Sequence, residues 1–262
     1  MMRKLTASVG FAASALAVPA PIQTTCDLSF LQNATDAYIG AQVAGKPSNF
    51  ITSGSSTEYT ENFKTADFTK GIVSQALKVD HNHSIYDKTE CLSYTELIIT
   101  DSNHPSVTGT QIRVVDGAVS HIDTLVTDKG DWLFNVTGTL HWASQEHWDE
   151  IPIEKRDSRQ VIRAAADAYA DIFNNKSVVV PWGQPCARLE GGSYTGNGSP
   201  SDRCDVGIPT GVNNTNRRYV IDEATGSVDL FMTFANSLPD SHEFRVEGGK
   251  IRYVHTLTVM GS

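Results

Sequence analysis

Ala34-Thr-Asp-Ala-Tyr38 returns 131 residues later as Ala165-Ala-Asp-Ala-Tyr169. Ile112-Arg-Val-Val-Asp-Gly-Ala-Val-Ser-His-Ile-Asp-Thr-Leu125 returns at an offset of 132 as Phe244-Arg-Val-Glu-Gly-Gly-Lys-Ile-Arg-Tyr-Val-His-Thr-Leu257. Between them, Glu96-Leu-Ile-Ile-Thr100 matches Asp229-Leu-Phe-Met-Thr233 at 133. Three matches in one order at nearly one spacing indicate a tandem duplication, so the fold must be one that two equivalent units of ordinary size can build.

Each unit reads as a helix followed by strands. Leu28, Leu31, Ala34, Tyr38 and Ile39 follow three-four spacing, which predicts a helix over 27–43, stopped by Gly45-Lys-Pro47. After a loop over 52–60, β-rich runs follow at 72–79, 84–87, 93–100, 110–115 and 118–127. Asp116-Gly117 between the last two is a hairpin signal, and Gly248-Gly249 takes its place in the second unit. That unit reads as a helix over 158–173 and strands near 218–222, 227–234, 243–247 and 250–259. The expected division is a leader at 1–17, a first domain at 22–131, a linker at 132–149 and a second domain at 150–262. Trp132, Trp142 and Trp148 should pack across the junction, since bulky apolar rings seldom stay solvated.

The N-terminus predicts export. Arg3 and Lys4 precede a small and apolar run ending in Ala15-Leu-Ala17, the pattern of a cleaved secretory signal peptide with the mature chain starting at Val18. Six N-x-[ST] sequons, at Asn33, Asn82, Asn135, Asn175, Asn197 and Asn213, suit a secreted glycoprotein. Four cysteines, Cys26, Cys91, Cys186 and Cys204, allow three disulfide connectivities; Cys26–Cys91 with Cys186–Cys204 keeps each bridge within one half. The net charge is −9, and loss of the two leader cations leaves −11, with no basic run longer than Arg217-Arg218. A nucleic-acid partner is therefore not expected, and no other segment is long and apolar enough to cross a membrane as a helix.

A helix followed by a curved, mostly antiparallel sheet in about 125 residues resembles the NTF2-like or SnoaL-like cone fold, in both halves. The implied class is α+β: two tandem cone-shaped domains, each with its N-terminal helix packed on a sheet, forming an internal pseudo-dimer and leaving room for a homodimer. Pro181-Trp-Gly-Gln-Pro-Cys-Ala-Arg-Leu-Glu-Gly-Gly-Ser-Tyr194, Arg217-Arg-Tyr-Val-Ile-Asp222 and Pro239-Asp-Ser-His-Glu-Phe-Arg245 resemble a family of secreted fungal proteins. That group is similar to the hetero-Diels–Alderases of tropolone–sesquiterpenoid pathways. The resemblance implies a cofactor-free enzyme acting on an apolar, oxygenated small molecule. Such an enzyme would dehydrate a ring alcohol to a quinone methide, to which a terpene alkene adds. The alternative class is a non-catalytic secreted binding or host-interaction glycoprotein.

Cone folds hold a cavity between helix and sheet. By period two, Ile251, Tyr253, His255 and Leu257 share one strand face, as do Val119, His121, Asp123 and Leu125. Ionisable groups between apolar neighbours on a cavity-lining face would make His255 and Tyr253 catalytic and His121 with Asp123 a second site. The alternative turns that face to solvent or to the other half, with Ile122 and Val254 inward. Arg188, on a loop anchored by Cys186, would stabilise a phenolate, or else pair with Glu190 to fix the loop. Trp182, Tyr169 and Tyr194 would be substrate-binding walls. His81-x-His83 places two imidazoles on one strand face, but no third ligand is positioned by sequence, and no metal or other cofactor is expected.

Overall fold

The computed structural model describes residues 26–50 and 57–261. The leader and the start at Val18 lie outside the described residues. Among the described residues the architecture is α+β, two six-stranded sheets with three α-helices. In the first half, α1 (Leu28–Ala44) precedes β1 (Glu58–Glu61), β2 (Lys64–Thr65), β3 (His81–Asp87), β4 (Leu92–Ile99), β5 (Ser106–Val115) and β6 (Ala118–Thr127). After α2 (Val136–Ala143), the second half repeats the order with α3 (Arg159–Ile172), β7 (Trp182–Glu190), β8 (Ser193–Tyr194), β9 (Thr215–Asp222), β10 (Ser227–Phe234), β11 (Leu238–Glu247) and β12 (Lys250–Thr258). The sheet orders are β2-β1-β6-β5-β4-β3 and β8-β7-β12-β11-β10-β9, position for position the same.

Local chemistry accounts for the element ends. Asp27 caps α1 by accepting the Ser29 N–H, and Gly45 closes it in the left-handed region at φ 61°. A side chain at Gly45 would also meet the backbone of Ala76. Both hairpin turns, Asp116-Gly117 and Gly248-Gly249, take positive φ at both residues, as the twist of the flanking strands requires. Cys26–Cys91 and Cys186–Cys204 are bonded, one bridge per half.

Three expected elements differ. The run 72–79 is not a strand but a 3-10 turn at Ile72–Ser74 that buries Ile72, Val73 and Leu77 beside α1; a short apolar run has no periodicity to separate the two. The expected loop over 52–60 and the anchored loop around Cys186 instead contribute β1 and β7, which pair in parallel with β6 and β12. Parallel partners lie far apart in sequence and β7 contains Pro185, so neither announces itself locally. The connection over 132–149 carries α2, capped by the sequon residue Asn135, and buries Val136 and Ala143.

Each sheet buries its two faces differently. One face packs on its own helix: Leu97, Ile112 and Ile122 form a core with Tyr38 of α1, and Leu230, Phe244 and Val254 form one with Tyr169 of α3. The other faces meet between the halves, where Ile85, Tyr94 and Leu125 pack against Val220 and Phe231. β-Bulges at Arg113/Val114 and at Arg245/Val246 decide which face carries what. Each bulge shifts the alternation by one residue. Val119 and Ile251 therefore join the helix-side cores, while Leu125 and His255 turn to the other half. The expectation that His255 and Tyr253 line the cavity under the helix is thus corrected.

Candidate functional site

Between α3 and the second sheet lies a cavity of about 260 Å³ with mainly apolar walls, including Phe173, Ile208, Phe234 and Leu238. Seven polar side chains converge on it from four elements: Tyr169 from α3, Arg188 and Glu190 from β7, Asp240 and His242 from β11 and Thr256 and Thr258 from β12. An enclosed apolar space with few convergent polar groups is the usual form of a small-molecule site.

His242 is held by a carboxylate within this set. Its Nδ1 lies 2.5 Å from Asp240 Oδ1, and Asp240 Oδ2 accepts the Thr258 hydroxyl at 2.6 Å. Asp240 and His242 are two apart on β11 and so share the cavity-facing side. A carboxylate acting as acceptor assigns the ring proton to Nδ1 and leaves Nε2 as the basic nitrogen. Tyr169, Phe173 and Phe244 hold the ring, with centroids 5.2, 6.4 and 6.1 Å away. Burial pushes the Tyr169 phenol well up, the nearby Arg188 charge pulling against it, so the hydroxyl is a neutral donor. The Thr256 hydroxyl is buried and has no partner among the described residues.

Arg188 is committed. Its Nε donates to Glu190 at 2.7 Å, and Nη1 donates to the carbonyls of Cys204 and Val206 at 2.8 and 2.6 Å. The loop-fixing alternative therefore describes it: with the Cys186–Cys204 bridge, Arg188 ties down the segment whose Gly207, Ile208 and Pro209 close one side of the cavity.

The first half fills the same space. Strand register places Thr108 and Thr110 where Asp240 and His242 stand, and Tyr59 and Glu61 where Arg188 and Glu190 stand. Tyr38, the counterpart of Tyr169, bonds Thr110 at 2.8 Å, and Tyr38, Phe50, Phe68 and Tyr59 form a continuous aromatic cluster. The two halves keep one frame, and among the described residues only the second carries the histidine–aspartate pair under its helix.

The remaining expected site residues fall into other places. His121 and Asp123 line an open polar groove of about 670 Å³ between the halves. There His121 lies 3.2 Å from Glu58, and Asp123 accepts from Arg218 at 2.6 Å. His255 is buried between two carboxylates, with Nδ1 3.1 Å from Glu96 and Nε2 2.7 Å from Glu146. Burial alone would lower its basicity, but the two carboxylates outweigh it and raise the imidazole well above its usual range. Tyr253 packs against Trp148. Tyr194 stacks on Trp142 and donates to Glu146 at 2.8 Å, away from the cavity. Trp182 touches Tyr169 edge-on from behind the wall. Of the tryptophans, Trp148 spans the junction, reaching His83 of one half and Tyr253 of the other, and Trp142 packs on a cluster that joins Ile98 and Val107 to Leu189 and Leu257. Trp132 stands half-exposed at the cavity rim. All six sequon asparagines are exposed.

His242 and Asp240 were not singled out by sequence, although both stand in the quoted stretch Pro239–Arg245. Asp-x-His on a strand, adjoining a position where the other repeat has Thr-x-Thr, is the signal that marks them.

Residues 155–258 match the model of a family described as a domain of unknown function (DUF8021), a span containing the whole cavity pair of α3 and β7–β12. No curated protein matches the chain. A solved structure of an NTF2-like protein from Bacteroides fragilis NCTC 9343 is similar over 92% of this chain and 100% of that one, at 9% identity and a TM-score of 0.24. A likeness that slight bears on neither fold nor chemistry.

Proposed function

We propose that the cavity under α3 binds a ring-sized, largely apolar, oxygenated molecule and moves a proton on it without a cofactor, as a dehydratase, isomerase or cyclase does. The supporting observation is the oriented His242–Asp240 pair inside an apolar enclosure, at a position where the first half has two threonines. His242 Nε2 would take or deliver the proton, and Asp240, itself held by Thr258, would fix the tautomer and stabilise the imidazolium that forms. Tyr169 and Thr256 would donate to a developing oxyanion, where low dielectric makes each hydrogen bond count for more than in water. In the hetero-Diels–Alder form of this reading, His242 Nε2 takes the proton of the ring hydroxyl and delivers it to the leaving hydroxyl, which departs as water, while Tyr169 holds the ring oxygen that becomes the quinone methide carbonyl. The role first expected of His255 passes to His242. A volume of about 260 Å³ lies at the small end for ligand pockets and suits one ring better than two joined partners. The two disulfides are consistent with a secreted protein.

The test is a panel of tropolone and phenolic ring alcohols, screened by thermal shift and then by mass spectrometry for loss of water or isomerisation. His242→Ala should abolish turnover, by about 10²–10⁴-fold for a general acid–base group, while binding and circular dichroism persist. Turnover of a confirmed substrate at the wild-type rate by that variant would refute the assignment. Tight binding with no conversion by the wild type would favour the binding-protein reading.

A further inference from the structure

Where the two sheets meet, both halves contribute to a second, separate cluster of buried groups. His83 on β3 and Glu96 on β4 face Glu243 on β11 and His255 on β12. One ligating atom each of Glu96, Glu243 and His255 lies within 4.8 Å of the others. Glu243 is fully buried, and neither of its carboxylate oxygens has a hydrogen-bond partner among the described residues. His83 Nε2 lies 3.0 Å from Glu243 Oε1 without hydrogen-bond geometry and has no such bond elsewhere. A carboxylate left without partners in a dry interior costs several kcal/mol, so a missing positive charge is the physical question this cluster poses.

The internal repeat sharpens it. Strand register equates His83, Glu96, Glu243 and His255 with Arg218, Phe231, Gln111 and Asp123 at the opposite end of the same interface. That end is balanced within the chain: Arg218 pairs with Asp123 at 2.6 Å and Gln111 donates to Asp229 at 2.6 Å. At the first end, two carboxylates and two imidazoles replace one carboxylate, one guanidinium, one amide and one phenyl ring.

We propose that Glu96, Glu243 and His255 Nδ1, with His83 Nε2 reaching the cluster through its approach to Glu243 as a fourth donor, bind one divalent transition-metal ion, zinc in the first instance, which clamps the two halves together. Two carboxylates neutralise a divalent charge, and a mixed nitrogen and oxygen donor set suits zinc and its neighbours better than calcium or magnesium. Bonds of about 2.0–2.1 Å place tetrahedral donors about 3.3–3.4 Å apart. The His83–Glu243 and His255–Glu96 separations, 3.0 and 3.1 Å, are close to two such edges. Glu146 completes the arrangement by accepting from His255 Nε2 at 2.7 Å, and is itself held by Tyr194 and Trp148 at 2.8 and 3.1 Å. A carboxylate behind a ligating imidazole fixes the ring and raises its basicity. The His81-x-His83 pair noted in the sequence thus supplies one ligand, and the further ligands come from strands that sequence spacing could not connect to it.

The full chain, unfolded in chelator and refolded with and without cobalt(II), tests this. The expected result is one cobalt per chain by elemental analysis, with a visible ligand-field band that zinc displaces. Glu243→Gln, which places at this position the residue its counterpart Gln111 already has, should lose the band and bind at least 100-fold more weakly. It should also melt higher than the metal-free wild type, because an unpaired buried carboxylate is gone. If that variant fails to fold, His83→Gln reads the same loss of the band. Glu146→Gln should keep the stoichiometry with affinity reduced about 10–100-fold. Failure of the refolded wild type to take up cobalt or zinc, or binding by the Glu243 and His83 variants equal to wild type, would overturn the proposal.

Discussion

Replacing Asp87 by alanine should unfasten the two halves more than any other single polar change at their junction. Arg159 donates from Nη1 and Nη2 to its two oxygens at 2.7 Å each, and the N–H of Ile221 reaches it at 3.0 Å, all from the second half. From its own hairpin, the N–H groups of Thr89 and Glu90 add two more bonds at 3.0 Å. The Asp87 side chain is inaccessible to solvent, while that of Arg159 is 27% exposed. Breaking a buried pair costs about 3–5 kcal/mol, chiefly because the partners stay buried and unpaired. Here Arg159 can turn to water, but the Ile221 N–H cannot, so the expected loss is about 3–4 kcal/mol. At about 2–4 °C per kcal/mol for a chain of this size, the melting temperature should fall by about 6–16 °C. Urea and thermal unfolding followed by circular dichroism would measure it. Arg159→Ala should cost less, since Asp87 keeps its three backbone donors, and the double variant should fall short of the sum by about 1 kcal/mol or more. A loss below about 1 kcal/mol for Asp87→Ala, or strict additivity, would show that the junction does not depend on this carboxylate.

Asp229 offers a pH test. Burial raises its carboxyl well above the usual value of about 3.8, so the folded state keeps a proton that the unfolded chain releases. Below that value both states hold the proton; as pH rises through it the unfolded state is favoured, and stability falls until the folded value is passed. Asp229→Asn should therefore be stabilising relative to wild type at about pH 7 and less so at about pH 4; a difference that does not change with pH would refute the buried neutral acid. Phe231 is fully buried between Tyr94 and Phe63 at the junction, so Phe231→Ala should cost about 3–5 kcal/mol by denaturant titration. A cost below about 1.5 kcal/mol would mean that the sheets are not closely packed there.

The duplication, the two helices, the β-hairpins and the half-by-half disulfides were legible because each is written locally. Three-four spacing, period-two runs, Asp-Gly and Gly-Gly turns and an even cysteine count act over a few residues or repeat along the chain. The Glu96 match is an instructive exception. By sequence it pairs with Asp229 at an offset of 133, whereas strand register pairs it with Phe231 at 135, because similar residue types slipped past each other by one full pleat. A slip of two preserves the facing of every side chain, so local pattern could not detect it.

Which groups meet was decided only by the tertiary structure. Residue order placed Tyr253 and His255 on one face but could not say what that face touches, since the bulges that rotate the strand arise from pairing with β11. Arg188 looked equally fit for catalysis or anchorage until β7 settled alongside β12 and the 204–206 carbonyls came within reach of its guanidinium. His242 was marked in the sequence only by Asp-x-His standing where the other repeat has Thr-x-Thr; it became a candidate when Thr258 settled behind Asp240 and α3 closed an apolar space over the pair. The groups around Glu243 come from β3, β4, β11 and β12, joined by chain distances of more than a hundred residues. Short-range propensity determined the helices and the hairpins, long-range pairing added β1 and β7, and the burial of two sheets against each other determined which charges must share one dry interior.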